Sequence, residues 1–147
     1  MQLNITTDYA VRAVLYLGQT PGKVPASQIS QDMSIPSGYL EKILSKLRKE
    51  SYISADLGKK GGYYLNKRLE EIRLGEIIRV MENTTRINRC LEPDCYCSGG
   101  NAKTCKVRKY YVKVQELLEE RIYNISLQDI LDEKDWLSGN KTLGIHY

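Results

Sequence analysis

The chain has 147 residues, which is enough for one domain with its own hydrophobic core or for a small domain with an appendage. Its net charge of +4 is unevenly distributed, because residues 1–68 carry ten Lys or Arg and only five Asp or Glu. The first apolar run, residues 10–18, is interrupted by Arg12 and lacks a cleavage site, and no stretch reaches the length of a membrane span. These features argue against a secreted or membrane protein. We expect a cytoplasmic protein whose basic front half binds nucleic acid.

The spacing of apolar residues predicts two helices near the start of the chain. The first helix has its apolar side chains on one face, at Ala10, Ala13, Val14 and Leu17. Thr6 or Thr7 is its predicted cap. A short second helix is predicted at residues 28–33, and the turn at residues 34–38 contains a Pro and a Gly, which stop one helix and start the next. Two helices joined this tightly form a helix-turn-helix.

The third predicted helix, residues 37–49, combines an apolar face with a basic one. Its apolar positions are Leu40, Ile43, Leu44 and Leu47. Lys42, Lys46 and Lys49 share a stripe on the other side, and the first turn would present side chains to base edges in a major groove. A lysine stripe by itself also fits an ordinary solvated helix face, so the interpretation depends on the element that follows.

Two short strands, residues 52–55 and 63–65, follow the third helix and are joined by a glycine-rich loop with Lys59 and Lys60. A hairpin with a cationic tip directly after a basic helix is typical of a winged helix-turn-helix, whose wing follows the phosphate backbone or enters the minor groove. We therefore predict DNA contacts from the second helix, the third helix and the wing. The predicted contact residues are Ser27, Pro36, Ser37, Gly38, Tyr39, Glu41, Lys42, Lys46, Lys59, Lys60 and Gly61.

A fourth helix, predicted from the spacing of residues 74–81, leads into a loop that holds every cysteine of the chain. The four are Cys90, Cys95, Cys97 and Cys105. Thiolates are soft ligands that suit iron–sulfur clusters and zinc, so we predict a metal site in this cysteine loop, residues 90–105. The intervals fit no simple zinc-knuckle or ferredoxin template. A surface loop with incidental thiols or a disulfide is the alternative.

A long helix after the loop carries a broad apolar stripe. Its predicted dimerisation residues are Val107, Tyr111, Val114, Leu118 and Ile122. Such a stripe, distant from the core of the front half, favours packing against a second subunit, although packing within one chain remains open. A last short helix, capped by Ser126, ends at Leu131.

We predict four regions along the chain. They are a winged helix-turn-helix domain at residues 1–83, a cysteine-rich loop at 84–106, the dimerisation and last helices at 107–135, and a flexible tail at 136–147. His146, the only histidine, lies in that tail and is not a candidate metal ligand. The expected fold class is mainly α with a small β-hairpin wing.

Six sequence motifs carry a resemblance to a known family. They are TDYAVR at residues 7–12, YLE at 39–41, LRK at 47–49, GxxGGYxL at 58–65, LGEII at 74–78 and NISL at 124–127. Together they resemble the bacterial winged-helix regulators typified by the iron–sulfur cluster regulator IscR and the nitric-oxide-sensing repressor NsrR. The resemblance covers residues 1 to 135. It implies a homodimer with crossing long helices on a palindromic operator, and one 4Fe–4S or 2Fe–2S cluster per subunit in the sensing members.

The resemblance also implies a ligand set of three cysteines and one other residue. Cys90 and Cys105 match the outer two positions, whereas Cys95 and Cys97 both lie near the middle one. Either of them can be the third ligand, and with both of them the site can be all-cysteine.

The fourth ligand differs between members of the family. The cluster regulator has His at the position of Arg108, and the nitric-oxide sensor uses an Asp of the partner subunit that matches Asp8. This departure and this match favour the arrangement of the nitric-oxide sensor. The family wing carries Arg before its first Gly, where this chain has Leu57, so operator preference is expected to differ.

The leading hypothesis is a dimeric transcriptional repressor whose affinity for double-stranded DNA is controlled by an iron–sulfur cluster that senses redox state, nitric oxide or iron–sulfur status. A zinc- or thiol-disulfide-controlled regulator of the same fold is the alternative. An enzyme is not expected, because the chain has no C-x2-C redox motif and no glycine fingerprint for a cofactor.

Overall fold

The computed structural model describes residues 3–134, which form a mainly helical chain with one antiparallel β-hairpin. The helices are α1 (Ile5–Gln19), α2 (Ala26–Asp32), α3 (Ser37–Lys49), α4 (Leu74–Met81), α5 (Lys106–Leu117) and α6 (Leu127–Leu131). The strands are β1 (Ile53–Asp56) and β2 (Gly62–Leu65), and single 3-10 turns lie at Leu69–Glu71 and Arg89–Leu91. This architecture confirms the predicted fold class. The predicted flexible tail, residues 136–147 with His146, lies outside the described residues.

The core lies where α1, α3 and α4 meet. The predicted apolar face of α3 is buried in full, and α1 buries Ala10, Ala13, Val14 and Leu17. α4 adds Ile77, Ile78 and Met81. The lysines of α3 lie on its other face and are exposed. One helix therefore packs into the core and presents cations to solvent, which is the arrangement that its sequence pattern predicts. Among the described helices, none has the length and apolar composition that crossing a bilayer requires.

A compact turn closes the helix-turn-helix formed by α2 and α3. The amide of Ile35 donates to the Ser30 carbonyl at 3.0 Å, and the Ser30 hydroxyl donates to the Ile35 carbonyl at 2.7 Å. α3 has the predicted bounds. α2 begins two residues before its predicted start, because the carbonyl of Pro25 already accepts a helical hydrogen bond from the Gln28 amide at 3.1 Å.

The start of α1 differs from the prediction that Thr6 or Thr7 caps it. Asn4 occupies the N-cap position, and the hydroxyl of the buried Thr7 donates instead to Glu82 Oε1 at 2.5 Å. The Asn4 amide donates to the same oxygen at 2.7 Å. Glu82 directly follows α4, so one carboxylate joins the start of α1 to the point where the chain leaves α4.

The wing consists of β1, β2 and the tip that joins them. Each strand runs one residue further toward the tip than predicted, so that Asp56 pairs with Gly62. The chain turns tightly here, and a Cβ added at Gly61 would lie 2.2 Å from the Asp56 carbonyl oxygen. Val24 pairs with Tyr63 through two backbone hydrogen bonds of 2.9 and 2.8 Å, which fix the wing to the loop after α1.

After α5 the chain returns to the helical core. A π-helical turn, Leu118–Ile122, extends α5, and residues 123–127 then run along the start of α4. The Gly75 amide donates to the Tyr123 carbonyl at 2.9 Å, and Leu127 is fully buried in the core. The end of the long helix is therefore fixed to the winged domain of its own chain.

α6 begins at its predicted cap. The Ser126 hydroxyl accepts a hydrogen bond from the Asp129 amide at 3.0 Å and donates to the Asp129 carboxylate at 2.6 Å. Hydrogen bonds from Lys134 and Ser126 lower the pKa of Asp129 to about 2. Asp129 therefore carries a full negative charge in the first turn of α6, where the helix dipole favours it.

Gly75 is required for the close approach of the returning segment. An added Cβ would lie 2.4 Å from the Tyr123 Cβ. We expect Gly75→Ala to lower the free energy of unfolding by about 1–3 kcal/mol, because the two backbones would have to separate. Gly38→Ala is the matched control, since Gly38 is also the second residue of its helix and a Cβ there meets nothing within 4 Å. Denaturant unfolding compares the two variants, and unchanged stability of Gly75→Ala would contradict a close-packed return.

Candidate nucleic-acid interface and cysteine loop

The predicted DNA contacts on the helix-turn-helix are all exposed. They are Ser27, Pro36, Ser37, Gly38, Tyr39, Glu41, Lys42 and Lys46. Leu40 is buried between two of them, so it anchors the first turn of α3 while its neighbours extend into solvent. α2 packs against α3, and the structure therefore brings these residues together on one helix pair.

Lys46 has a partner within the chain. Its Nζ donates to the Met81 carbonyl at 3.5 Å, at the carboxyl end of α4. A cation is favoured at that end of a helix by the dipole, so Lys46 has a structural role there. Its contact with DNA remains a prediction.

A row of side chains links α1 to the first turn of α3. Tyr39 packs edge-to-face on Tyr9, with 6.0 Å between the ring centroids. The Arg12 guanidinium lies 4.8 Å from the centroid of the Tyr9 ring and donates to Asp8 at 2.6 Å and to the Met33 carbonyl at 3.0 Å. The predicted metal ligand Asp8 is thus two side chains removed from Tyr39, a predicted DNA contact.

The wing tip carries two lysines that form no ion pair within the described residues. Lys59 and Lys60 are exposed there, whereas Gly61 is half-buried in the turn. The carboxylate of the neighbouring Asp56 forms an ion pair with Lys23 of the loop after α1. β1 packs against α3, so the wing lies beside the helix that carries the lysine stripe.

The cysteine loop is fastened to α5 on both sides. At its end, the Cys105 thiol caps α5 by accepting from the Arg108 amide at 3.4 Å. At its start, the Gln115 side chain accepts from the Ile87 amide at 3.0 Å and donates to the Thr85 carbonyl at 3.2 Å. Gln115 is only 3% exposed, so its amide is committed to holding this segment.

Arg108 contacts three of the four cysteines. Its Nε donates to the Cys90 carbonyl at 3.0 Å, and its Nη2 lies 3.5 Å from the Cys95 Sγ. Its backbone N–H donates to the Cys105 thiol, as described above. The residue at the position of the cluster regulator's histidine therefore connects the start, the middle and the end of the cysteine loop.

An ion pair shapes the middle of the loop. The Arg89 guanidinium binds the Asp94 carboxylate, and these hydrogen bonds lower the pKa of Asp94. Arg89 also lies 5.5 Å from the ring centroid of Tyr96. Between the two partners of Arg89, Cys95 is exposed and has a positive φ of 48°. The loop is therefore folded by its own polar contacts.

The predicted metal ligands are close in the chain but do not converge. Cys90, Cys95, Cys97 and Cys105 all carry free thiols. Within residues 3–134, no three Cys, His, Asp or Glu side chains lie close enough together to hold a metal ion. Asp8 is paired with Arg12 of its own chain. The proposed ligand set remains a prediction.

The structure divides the predicted apolar stripe of α5 between two faces. Tyr111, Leu118 and Ile122 share the face of the buried Gln115 and are half-buried within the chain. The outer face of α5 consists of Val107, Tyr110, Val114 and Leu117. Val107, Tyr110 and Leu117 are 56%, 66% and 58% exposed. The four residues of the outer face are spaced at i, i+3, i+7 and i+10, as in the contact line between two packed helices.

Three contact residues were absent from the sequence prediction. Gln115 gives no signal, because a polar residue in a helix is usually exposed. Glu82 acts on Thr7 across 75 residues of chain, which local patterns cannot reveal. Arg108 could have been found, since it lies one helical turn after Cys105 and so must lie near the loop.

Comparison with known proteins identifies relatives across nearly the whole chain. A family model described as Rrf2, an iron-dependent transcriptional regulator, matches residues 3–133. The HTH-type transcriptional regulator IscR of Pectobacterium atrosepticum (strain SCRI 1043) is 30% identical over 140 residues, which cover 94% of this chain and 84% of the relative.

Solved structures show the same fold. The structure of CymR (YrzC), the global cysteine regulator of B. subtilis, matches with a TM-score of 0.73 and 22% identity, covering 92% of this chain and 99% of that one. IscR of T. potens matches with a TM-score of 0.71 and 24% identity, covering 98% and 94%. These matches confirm the winged-helix fold class and the family resemblance read from the sequence. The chain belongs to the Rrf2 family, and it is a DNA-binding transcriptional regulator rather than an enzyme.

Proposed function

We propose that this regulator is a dimeric repressor whose affinity for a palindromic operator is controlled by an iron–sulfur cluster in the cysteine loop. The observation that carries the proposal is that one residue in the first turn of the long helix, Arg108, contacts Cys90, Cys95 and Cys105. The description of the family as iron-dependent supports it. The cytoplasmic location predicted from the sequence is part of the same proposal.

The chemistry of the donor set fits an iron–sulfur cluster. Cys90, Cys105 and one or both of Cys95 and Cys97 would hold a 4Fe–4S or 2Fe–2S cluster, and Asp8 of the partner subunit is a candidate further ligand. When bound, the cluster supplies iron that can exchange electrons and ligands, which suits the sensing of redox state, nitric oxide or iron–sulfur status. The loop has to draw its thiols closer than the structure has them.

Two sets of contacts would carry a change in the loop to the DNA-binding surface. Asp8 and Arg12 form the ion pair described above, and Arg12 packs on Tyr9, which packs on Tyr39. If Asp8 bound a cluster instead, Arg12 would lose this ion pair. The packing of Arg12 on Tyr9, and of Tyr9 on Tyr39, would then change. The second set begins at Glu82, which holds the start of α1 and directly precedes the segment that leads to the cysteine loop.

A zinc- or thiol-disulfide-controlled regulator is the second candidate. It is favoured by the free thiols and by the exposed position of Cys95, which an oxidant can reach. The two candidates share the fold, the loop and the DNA surface. They differ in what the thiols bind.

Anaerobic purification and reconstitution with iron and sulfide test the proposal. We expect a brown protein whose native mass exceeds that of the polypeptide by one cluster per subunit. A colourless protein that binds one zinc ion per subunit and takes up no sulfide would contradict the cluster and favour the second candidate. Gel-shift binding of a duplex selected from a randomised pool serves as the control for folding, since both candidates bind DNA.

We propose that the outer face of α5 forms the dimer interface. Three of its four apolar residues are more than half exposed, and contiguous exposed apolar surface of this kind marks an interaction site. In this proposal, residues 1–83 bind DNA, residues 84–106 sense the signal, and residues 107–135 form the dimer. The two heads of a symmetric dimer would then meet the two halves of a palindrome.

Leu117→Asp should weaken the dimer by at least about 2 kcal/mol, roughly 30-fold, because each interface would bury a charge without a partner. Sedimentation velocity across a concentration series measures the effect. Lys109→Asp is the matched control, since Lys109 is exposed on the same helix but lies outside the outer face. A Leu117→Asp protein that stays dimeric at the same concentrations would show that the interface lies elsewhere.

A further inference from the structure

Leu57 at the wing tip is 100% exposed, while the other exposed large apolar side chains of residues 3–134 reach at most 66%. It directly follows Asp56, the last residue of β1. Burying a leucine side chain is favourable, so a leucine held entirely in water gains on contact with any apolar surface. The tip therefore presents one apolar side chain that makes no packing contact within the described chain.

The tip holds Leu57 in a defined position. Gly58 has a φ of 101°, a left-handed conformation that glycine adopts without strain, and the Gly61 amide donates to the Gly58 carbonyl at 2.9 Å. The paired ends of the strands, Asp56 and Gly62, flank this turn directly. Because the turn is closed by a hydrogen bond and by the hairpin, Leu57 stands at a fixed point beyond the sheet.

The charges around Leu57 indicate what it contacts. Lys59 and Lys60 are exposed in the same turn, and the nearest acid, Asp56, is paired with Lys23. A single leucine followed by a glycine and two lysines lacks the extended apolar core of a protein interface. A polyanion with apolar surface between its charges would accept both the leucine and the lysines. The groove of a DNA duplex has this character.

We propose that Leu57 enters the minor groove as an apolar wedge and loosens the stacking of one base step, while Lys59 and Lys60 bind the flanking phosphates. Minor-groove proteins insert leucine and similar side chains in this way and bend the duplex. Pyrimidine–purine steps unstack most easily, so the wing would favour such a step in the operator. Leu57 is then a specificity-determining residue that adds to the DNA binding of the family.

The test uses a duplex selected by the unmodified protein from a randomised pool, with 2-aminopurine placed at the candidate step. We expect Leu57→Ala to lower the affinity about tenfold. The variant should also abolish the rise in 2-aminopurine fluorescence that reports unstacking and relax the preference for the flexible step. Its salt dependence should stay unchanged, because leucine releases no counterions.

Two further variants separate this role from simple charge binding. Leu57→Met keeps the apolar volume and should retain both affinity and fluorescence. Lys59→Ala should lower the salt slope while keeping the fluorescence change in the bound complex. The proposal is overturned if Leu57→Ala binds with unchanged affinity and fluorescence, or if Leu57→Met loses as much as Leu57→Ala. Since Leu57 and Lys59 are both exposed, thermal unfolding of all three variants should match that of the unmodified protein.

Discussion

Cys90→Ala and Cys105→Ala are each expected to abolish the absorption of an iron–sulfur cluster after anaerobic reconstitution. Both residues contact Arg108, and Cys105 also begins α5, so each fixes one side of the loop relative to the long helix. Loss of either thiol removes one of the two outer ligands of the proposed set. Native mass spectrometry should find the bare polypeptide in both variants.

Cys95→Ala, Cys97→Ala and Asp8→Ala distinguish the remaining ligands. If one of the two middle cysteines is dispensable, its variant keeps the cluster while the other loses it. Retention of the cluster in Asp8→Ala would assign the fourth position to the extra cysteine. Full retention of the cluster in both Cys90→Ala and Cys105→Ala would end the ligand hypothesis.

The Lys59→Ala, Lys60→Ala double variant is expected to lose about tenfold or more in affinity for all DNA sequences. Each lysine that neutralises a phosphate contributes roughly one unit to the slope of log affinity against log salt. A dimer carries four such lysines, so the slope should fall by up to about four units. Titrations at several salt concentrations with a selected and an unrelated duplex measure both quantities.

Lys109→Ala with Lys113→Ala removes the same charge from two exposed positions of α5 that are not part of its outer face, and serves as the control. It should keep the slope of the unmodified protein. Equal slopes for the wing variant and this control would show that the tip does not bind phosphates. Variants of Tyr39 and Glu41 should differ from both, because base contacts change the preference among sequences and leave the slope unaltered.

The helix-turn-helix was predictable because its pattern is strong and local. α3 has the predicted bounds, since an apolar face of four residues and a preceding Pro-Ser-Gly turn leave little freedom. The strands were placed within one residue, and the difference at the tip comes from the tight turn around Gly61. Local chemistry therefore determined the DNA-binding half almost completely.

The parts that sequence reasoning missed depend on contacts between distant residues. The apolar stripe of α5 was read as one surface, because the burial of its inner face depends on Gln115 and the segment near Thr85. The cap of α1 was assigned to a threonine, because the true partner, Glu82, comes from another helix. The role of Arg108 depends on its hydrogen bond to the Cys90 carbonyl, 18 residues earlier in the chain.

The most direct measurement is the operator affinity of the reconstituted protein with its cluster and after the cluster has been removed by a chelator under anaerobic conditions. We expect the two forms to differ by about 1–3 kcal/mol, or 5- to 150-fold, which is the usual range for coupling between two sites. The Cys90→Ala protein should have the affinity of the cluster-free form before and after the same treatment. Equal affinities of the cluster-loaded and cluster-free proteins, at the same dimer concentration and salt, would contradict control of DNA binding by the cysteine loop.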